Sequence, residues 1–407
     1  MEDENSLYTC IYTKTKFSVS DGEHILQNFL GARWVSETIS SNEAQGKFGE
    51  TIDVALELGL REIRNTLGTK GGRGGEGPPL KNIVGDSGTV YTLAPGGAPS
   101  ISEPVLKTRS LPDGRHEINA VLGDMKQVGW AVAKMRQAFP DTKFDIDEIR
   151  QHAVETKTYV NDSMRLQSGL GGDDFFRGAL KAAFNLLGVR NAEAALLPIC
   201  DGVRNFVLNG DGECRSFIRW LNSADEIALP KIGAFDHFVG VYSRNGSVDG
   251  YIQFFGEIGF LTRLADGYAG PDFSYGYLVD PLREADPAET REPNYSIENI
   301  PRFESGSVLP TEQVWPIYSA RYARILERHY RRADQQNLSR IVDEVLLPHD
   351  GEIVTKEMIG EVSRKAAEYI VHRLFSSPRP SQQKQQKAGS QKSTKRGPSR
   401  KKKGRRR

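Results

Sequence analysis

The sequence predicts an α+β protein in which a small N-terminal ββα unit precedes a larger mixed domain and a disordered basic tail. Strand-forming and helical patterns alternate within residues 1–66. Apolar runs separated by turn signals near residue 240 indicate an antiparallel β-meander, and helical patterns follow it toward the C-terminus. With 407 residues, of which 38% are hydrophobic, the chain is long enough for more than one domain and a buried core.

Residues 1–66 read as the ββα unit. "LYTCIYT" is rich in strand formers, "FSVSDGEHIL" places a turn before an apolar segment, and "SSNEAQGKFGETIDVALELGLREIRNTLG" is typical of one helix. Ser40 and Glu43 have the spacing of a capping box, which places Asn42 in the first helical turn. The predicted core face of this helix consists of Phe48, Ile52, Leu56 and Leu60.

Residues 67–110 read as a Gly/Pro-rich loop followed by short strands. The segment "GTKGGRGGEGPP" contains six glycines and two prolines and does not match a nucleotide-binding P-loop. Two interpretations stay open. The loop either approaches phosphates closely, with help from Lys70 and Arg73, or acts as a flexible linker.

Residues 111–375 read as a mixed α+β domain of unassigned role. Helices are predicted at "EINAVLGDMKQVGWAVAKMRQAF", at "DDFFRGALKAAFNLLG", at "VRNFVLN" with "CRSFIRWLN", and across 311–375. The segment "HFVGVYSRNGSVDGYIQFFGEIGFLTRLA" predicts the meander, and "SYGYLVDPL" adds a strand. This region shows no catalytic triad order, nucleotide loop or metal-ligand spacing, so we expect it to recognise substrate, contact partners or regulate.

Residues 376–407 form the predicted disordered tail. From Arg379 onward it holds 13 of the 54 basic residues and no acid, which leaves 41 basic against 53 acidic residues, a net charge of −12, on the rest. The tail contains no Leu, Ile, Val or aromatic residue and cannot build a core. Such a tail is suited to nonspecific contact with nucleic acid, or it lies on the acidic body.

The remaining composition indicates a reducing, cytoplasmic setting. No apolar run is long enough for a membrane span, and "MEDENSLYTC" is acidic where an export signal is basic. Three widely spaced cysteines argue against a disulfide framework and favour reduced thiols.

Glu23, His24 and Asn42 supply the side chains that phosphodiester hydrolysis requires. Histidine suits a general base near neutral pH, and carboxylate and amide oxygens suit a hard divalent cation. The Glu-His pair alone is weak evidence for a catalytic site, because 53 acids among 407 positions place an acid before about one of the seven histidines by chance. Asp236-His237 is a second such pair, and its position at the start of an apparent strand favours a structural role.

The ordered segment from Cys10 to Asp53, "CIYT…GEHILQNFLGARW…ISSNEAQGKFGETID", resembles the HNH endonucleases of the E-H-I-I-P-x-x-L-G-G, C-N-x-x-F-G-x-x-I-D group. The resemblance covers about 45 residues and implies a ββα-metal finger. It implies His24 as the general base, Glu23 and Asn42 as ligands of one divalent ion, Mg²⁺ or Mn²⁺, and Asp53 as a supporting residue.

Three departures separate this sequence from the family pattern. The positions of the family's four zinc cysteines read Cys10, Thr13, Thr38 and Ser41, so no structural zinc is expected. The family proline is Gln27, and the middle Asn or His has no clear counterpart. Two hypotheses therefore stay open. The first is a metal-dependent endonuclease that favours DNA and contacts its backbone through Arg33, Lys70 and Arg73. The second is a degenerate HNH-like protein that binds nucleic acid or another partner without catalysis.

Overall fold

The chain folds into a mixed α and β protein with antiparallel sheets and C-terminal helices, as the sequence predicts. The computed structural model describes residues 7–112, 116–152, 160, 162–166, 169–221, 233–282, 291, 300, 303 and 311–376. The predicted disordered tail lies outside the described residues from 377 onward.

Two short antiparallel hairpins and two helices form the N-terminal region. The elements are β1 (Tyr8–Thr9), β2 (Lys16–Phe17), β3 (Glu23–His24), β4 (Val35–Ser36), α1 (Asn42–Gly49) and α2 (Ile52–Leu67). β1 pairs with β2, and β3 pairs with β4.

The prediction of one long helix here is wrong, because Thr51, with φ −126° and ψ −84°, separates α1 from α2. The N-cap of α1 also lies one residue after the predicted Ser40. Ser41 is the N-cap, and its Oγ accepts from the Ala44 N–H at 3.5 Å. Asn42 nevertheless begins the first turn, as predicted. The predicted core residues are all buried, which confirms the apolar face: Phe48, Ile52, Leu56 and Leu60.

Short strands follow in residues 80–110, as the sequence predicts, and a further hairpin strand and two helices come after them. The elements are β5 (Leu80–Val84), β6 (Val90–Leu93), β7 (Pro99–Ile101), β8 (Val105–Ser110), β9 (His116–Val121), α3 (Val128–Ala138) and α4 (Ile146–His152). The helix predicted from Glu117 is wrong in its first part, because residues 116–121 pair with β8 as an antiparallel hairpin. The helical pattern applies only from Val128 onward.

The larger sheet contains the predicted meander. The elements are α5 (Asp173–Arg190), α6 (Ala192–Leu196), α7 (Asp201–Asn209), β10 (Ile218–Trp220), β11 (His237–Arg244), β12 (Ser247–Phe254), β13 (Ile258–Asp266) and β14 (Ser274–Val279). The five antiparallel strands have the order β10-β13-β12-β11-β14. The helix predicted at "CRSFIRWLN" is wrong, because Gly210 ends α7 with φ 81° and the segment continues into edge strand β10.

Two helices complete the described chain, α8 (Thr311–Leu346) and α9 (Lys356–Ser376), which confirms the helical prediction for 311–375. Within the described residues, no helix has the length and apolar character that a membrane crossing requires.

Helix α5 is the centre of the main hydrophobic core, which includes side chains from the N-terminal region and from the large sheet. Two glycines allow α2 and α5 to approach closely. A Cβ on Gly59 would lie 2.5 Å from the Phe175 ring, and a Cβ on Gly178 would lie 2.5 Å from the Ile52 carbonyl oxygen. The N-terminal hairpins are thus packed against a helix that begins more than a hundred residues later.

Candidate functional site

The β3–β4 hairpin presents Glu23 and His24 on adjacent positions of one strand. Successive side chains of a strand point to opposite faces, and Glu23 is buried whereas His24 is half-buried. The Glu23 carboxylate faces α5, and the alternation of side chains along a strand places His24 on the opposite face of the hairpin. The two predicted catalytic neighbours therefore lie in different surroundings.

The Glu23 carboxylate is bound by side chains of α5. Lys181 Nζ lies 2.7 Å from Glu23 Oε1 and 2.8 Å from Asp53 Oδ2. Asn185 Nδ2 donates to Glu23 Oε1 at 3.3 Å and to the His24 carbonyl oxygen at 2.9 Å. One ammonium thus bridges both carboxylates that the family resemblance singles out.

Two further polar side chains complete this cluster. The Tyr12 hydroxyl donates to Asn185 Oδ1 at 2.5 Å. Gln27 Nε2 donates to Asp53 Oδ1 at 3.1 Å and to the Gly178 carbonyl oxygen at 2.9 Å. We call this set the Lys181 cluster, which consists of Tyr12, Glu23, Gln27, Asp53, Lys181 and Asn185. Gln27, which replaces the family proline, therefore helps to join the hairpin to α2 and α5.

Burial and charge act in opposite directions on the ionisable groups of the Lys181 cluster. Burial raises the pKa of the Glu23 carboxyl, and Asp53 adds to this while Lys181 opposes it. Burial by itself lowers the pKa of Lys181, but the Glu23 and Asp53 carboxylates outweigh it and raise the pKa above its usual value. Lys181 is therefore an ammonium ion at neutral pH.

Asn42 is exposed and makes a different contact. Its Oδ1 accepts from the Asp21 N–H at 2.9 Å, which ties the start of α1 to the loop before β3. The Asn42 amide oxygen thus accepts a hydrogen bond near the surface, whereas the Glu23 carboxylate is paired with Lys181 in the interior.

The residues do not fit the divalent ion that the family resemblance implies. Among the described residues, no three or more His, Cys, Asp or Glu side chains form a group that could hold a metal ion. The predicted ligands Glu23 and Asn42 are engaged by Lys181 and by the Asp21 N–H. A divalent ion about 4 Å from the Lys181 ammonium would be repelled by about 8 kcal/mol at an effective dielectric constant of 20.

Three of the four positions of the family's zinc cysteines come together around a single sulfur atom. Cys10 Sγ accepts from the Thr13 N–H at 3.5 Å and from the Ser41 N–H at 3.4 Å, and the Ser41 hydroxyl lies 3.6 Å away. Thr38 instead contacts Ser36, whose Oγ accepts from its N–H at 3.4 Å. The three cysteines of the chain are free thiols.

The predicted backbone-contacting residues divide into two groups. Arg33 and Lys70 line the same cavity, beside the Gly-rich loop and α8. Arg33 Nε donates to the Gly72 carbonyl oxygen at 2.7 Å, which fixes the guanidinium against that loop. Arg73 is exposed and does not line this cavity.

Lys181 and Asn185 are the site residues that the sequence interpretation missed. Both lie in "GALKAAFNLLG", a helical segment that is apolar nearly all round, and they are four residues apart, so they share one face. A charged residue in such a helix signals a buried partner. The signal was present, although it does not identify Glu23.

No protein-family model, curated protein or solved structure shows significant similarity to this chain. The geometry of the site therefore carries the functional interpretation.

Proposed function

We propose that this chain is a nucleic-acid-binding protein built on a degenerate HNH-like unit that does not cleave its ligand. One observation carries the proposal. The Lys181 ammonium lies 2.7 Å from Glu23, which the resemblance implies as a metal ligand, and 2.8 Å from Asp53, which it implies as a supporting residue. A built-in cation satisfies these carboxylates without a divalent ion.

The N-terminal region supports the HNH-like part of the proposal. The Cys10, Thr13 and Ser41 positions converge although only one of them is a cysteine, and hydrogen bonds to sulfur connect them. A hairpin that carries Glu-His and a helix that begins at Asn42 follow in the order the family requires.

Basic groups support the nucleic-acid part of the proposal. Arg33 and Lys70, which are 37 positions apart in the sequence, line one cavity. The sequence after residue 378 adds 13 basic residues without an acid. Phosphate contacts by Lys and Arg release counterions and give binding without sequence preference.

Cleavage by a His24-dependent site is the second candidate function. The placement of α1 favours it, because its first residue, Asn42, lies within hydrogen-bond distance of Asp21 in the loop before β3. A metal ion at Asn42 Oδ1 would have to displace this hydrogen bond. One assay of both binding and cleavage separates the two candidate functions.

The assay measures binding and cleavage of duplex DNA, single-stranded DNA and RNA, in chelator and then with Mg²⁺ or Mn²⁺ added. We expect binding that persists in chelator and intact nucleic acid after the metal is added. His24→Ala should behave like the wild type, as should the control His349→Ala, which changes an exposed histidine elsewhere. Metal-dependent cleavage that His24→Ala abolishes and His349→Ala preserves would establish the nuclease instead.

A chain that ends at Ser377 tests the contribution of the tail in the same assay. Loss of its 13 basic residues should weaken binding and flatten the dependence of log affinity on log salt, by about 0.9 for each lost phosphate contact. Absence of binding by the full chain to all three ligands would refute the proposal.

A further inference from the structure

A cavity of about 680 Å³ lies where four separate segments of the chain meet. These segments are the end of the loop before β4, the Gly-rich loop after α2, the turn after β14, and the middle of α8. We call it the basic cavity, and its polar side chains are Arg33, Lys70, Asp280, His329, Arg332 and Gln336. It is separate from the Lys181 cluster, with which it shares no residue.

The charge of the basic cavity is positive. Among the described lining residues, Arg33, Lys70 and Arg332 are three cations and Asp280 is one carboxylate, so these side chains sum to a charge of +2. Asp280 Oδ1 also accepts a hydrogen bond from the Leu282 N–H at 2.9 Å, so one oxygen of this carboxylate is bonded to the backbone of the turn after β14. An anion that enters the cavity therefore meets more positive than negative charge.

Helix α8 contributes a regular row of side chains. His329, Arg332, Ala333 and Gln336 have the spacing i, i+3, i+4, i+7, which places them on one face of the helix toward the cavity. Arg332 Nη2 donates to the Leu282 carbonyl oxygen at 3.1 Å, a contact that uses one of its five N–H donors and fixes the guanidinium.

His329 supplies a neutral ring to the cavity. Burial lowers the pKa of His329, and Arg332 lowers it further. At neutral pH the ring therefore adds a hydrogen-bonding group rather than another charge.

The Gly-rich loop carries Lys70, and three of its glycine amides already have hydrogen-bond partners. The Gly71, Gly72 and Gly74 N–H groups donate to Gly75, Asn28 and Gly71 carbonyl oxygens, each at 2.8 Å. A Cβ on Gly72 would lie 2.1 Å from the Ala32 carbonyl oxygen, so only glycine allows the loop to pack here. The side chains, rather than the loop backbone, are therefore the groups available to a ligand.

The chemistry of the lining selects a class of ligand. A phosphate monoester carries a charge of about −1.5 to −2 at pH 7, which matches the net charge of +2. Among the described residues that line the cavity there is no Phe, Tyr or Trp, so this part of the lining offers no large aromatic face on which a base could stack. The volume of about 680 Å³ leaves room for the group that carries the phosphate.

We propose that the basic cavity binds a phosphate monoester. Its source is either the phosphorylated end of a nucleic-acid strand or a free phosphorylated small molecule. The strand-end source rests on the proposed nucleic-acid function, whereas the site itself does not.

The test is a binding titration of the full chain with three probes. These are one oligonucleotide with phosphate at both ends, the same oligonucleotide with hydroxyl at both ends, and inorganic phosphate. We expect the phosphate-ended strand to bind about tenfold more tightly than the hydroxyl-ended strand, since it adds charge-assisted hydrogen bonds.

Lys70→Gln and Arg332→Gln should each remove this tenfold preference and weaken the binding of inorganic phosphate. Arg331→Gln is the matched control and should keep the preference, because Arg331 is the neighbour of Arg332 in α8 and carries the same charge without lining the cavity. Circular dichroism spectra like that of the wild type would show that the variants are folded.

The outcomes separate this site from the proposed function. Binding of inorganic phosphate that depends on Lys70, with no binding of either strand, supports a small-molecule phosphate and refutes the nucleic-acid function. A preference for phosphate ends that survives both cavity variants overturns the site. Equal affinity for the two strands together with no binding of inorganic phosphate also overturns it.

Discussion

Lys181 lies in an apolar helical segment and has less than a tenth of its surface exposed. A lysine in that position needs opposite charge, because desolvation of an unpaired ammonium costs several kcal/mol. Glu23 and Asp53 supply the charge, and the Phe48 ring lies 4.9 Å from the ammonium nitrogen. The sequence shows that Lys181 requires a partner, but a partner 158 residues away is set by packing.

Lys181→Met should lower the free energy of unfolding by about 3–5 kcal/mol, because it leaves the buried Glu23 carboxylate and Asp53 without their cation. The double variant Lys181→Met/Glu23→Gln should lose less than the sum of the two single variants, since the removed groups interact directly. Urea denaturation at neutral pH measures both effects.

Lys14→Met is the matched control for that experiment. Lys14 Nζ lies 2.6 Å from Asp201, but both side chains are more than a third exposed. We expect a change within about 1 kcal/mol. A Lys181→Met variant that is no less stable than Lys14→Met would contradict the bridging role of the ammonium.

His237, the histidine of the second acid-His pair, has a structural position. Its ring is fully buried, and Nδ1 accepts from the Phe255 N–H at 3.2 Å. Burial lowers the pKa of His237 from 6.5 to about 3. Because the unfolded chain takes up a proton below pH 6.5 while the folded chain does not, stability present above pH 6.5 is lost as the pH falls toward 3.

His237→Asn removes this titration and keeps an acceptor near the Nδ1 position. Between pH 6.5 and pH 5 the wild type should lose about 2 kcal/mol more of its unfolding free energy than the variant does. Chemical denaturation at the two pH values measures the difference. Parallel pH profiles of the two proteins would show that His237 is not the titrating group.

At the scale of elements, periodic patterns predicted where apolar residues point more reliably than where helices end. The apolar row from Phe48 to Leu60 is buried as predicted, although Thr51 divides it between two helices. "SFIRW" reads as helix in isolation, yet pairing with β13 makes residues 218–220 a strand. A short apolar run fits either structure, and the neighbouring strand decides between them.

Gly178→Ala tests the close approach of α2 and α5. The new Cβ would lie 2.5 Å from the Ile52 carbonyl oxygen, a backbone atom that moves only with its helix. We expect a loss of about 1–3 kcal/mol in unfolding free energy, which thermal or chemical denaturation can measure.

Gly46→Ala provides the matched control within α1, because a Cβ there meets nothing within 4 Å. Alanine is favoured over glycine inside a helix, so this change should raise the stability by about 0.5–1 kcal/mol. Equal effects of the two substitutions would argue against the close helix contact.

At the scale of the whole molecule, the N-terminal region and the large sheet share one hydrophobic core around α5. The sequence suggests a boundary near residue 66, since a Gly-rich stretch begins there. In the structure this stretch packs against residues 28–33 and helps to line the basic cavity. The N-terminal region and α8 thereby line the same cavity, although more than 250 residues separate their lining residues.

The sequence by itself determined the α+β class, the meander, the apolar face of the first helices, and the charge contrast between body and tail. These properties follow from local periodicity and composition, which need no knowledge of distant partners. Only the tertiary structure decided that Lys181 neutralises Glu23 and that Arg33, Lys70 and Arg332 share a cavity. Both arrangements join residues far apart in the chain, and the burial of α5 against the hairpins and the sheet fixes which charges meet.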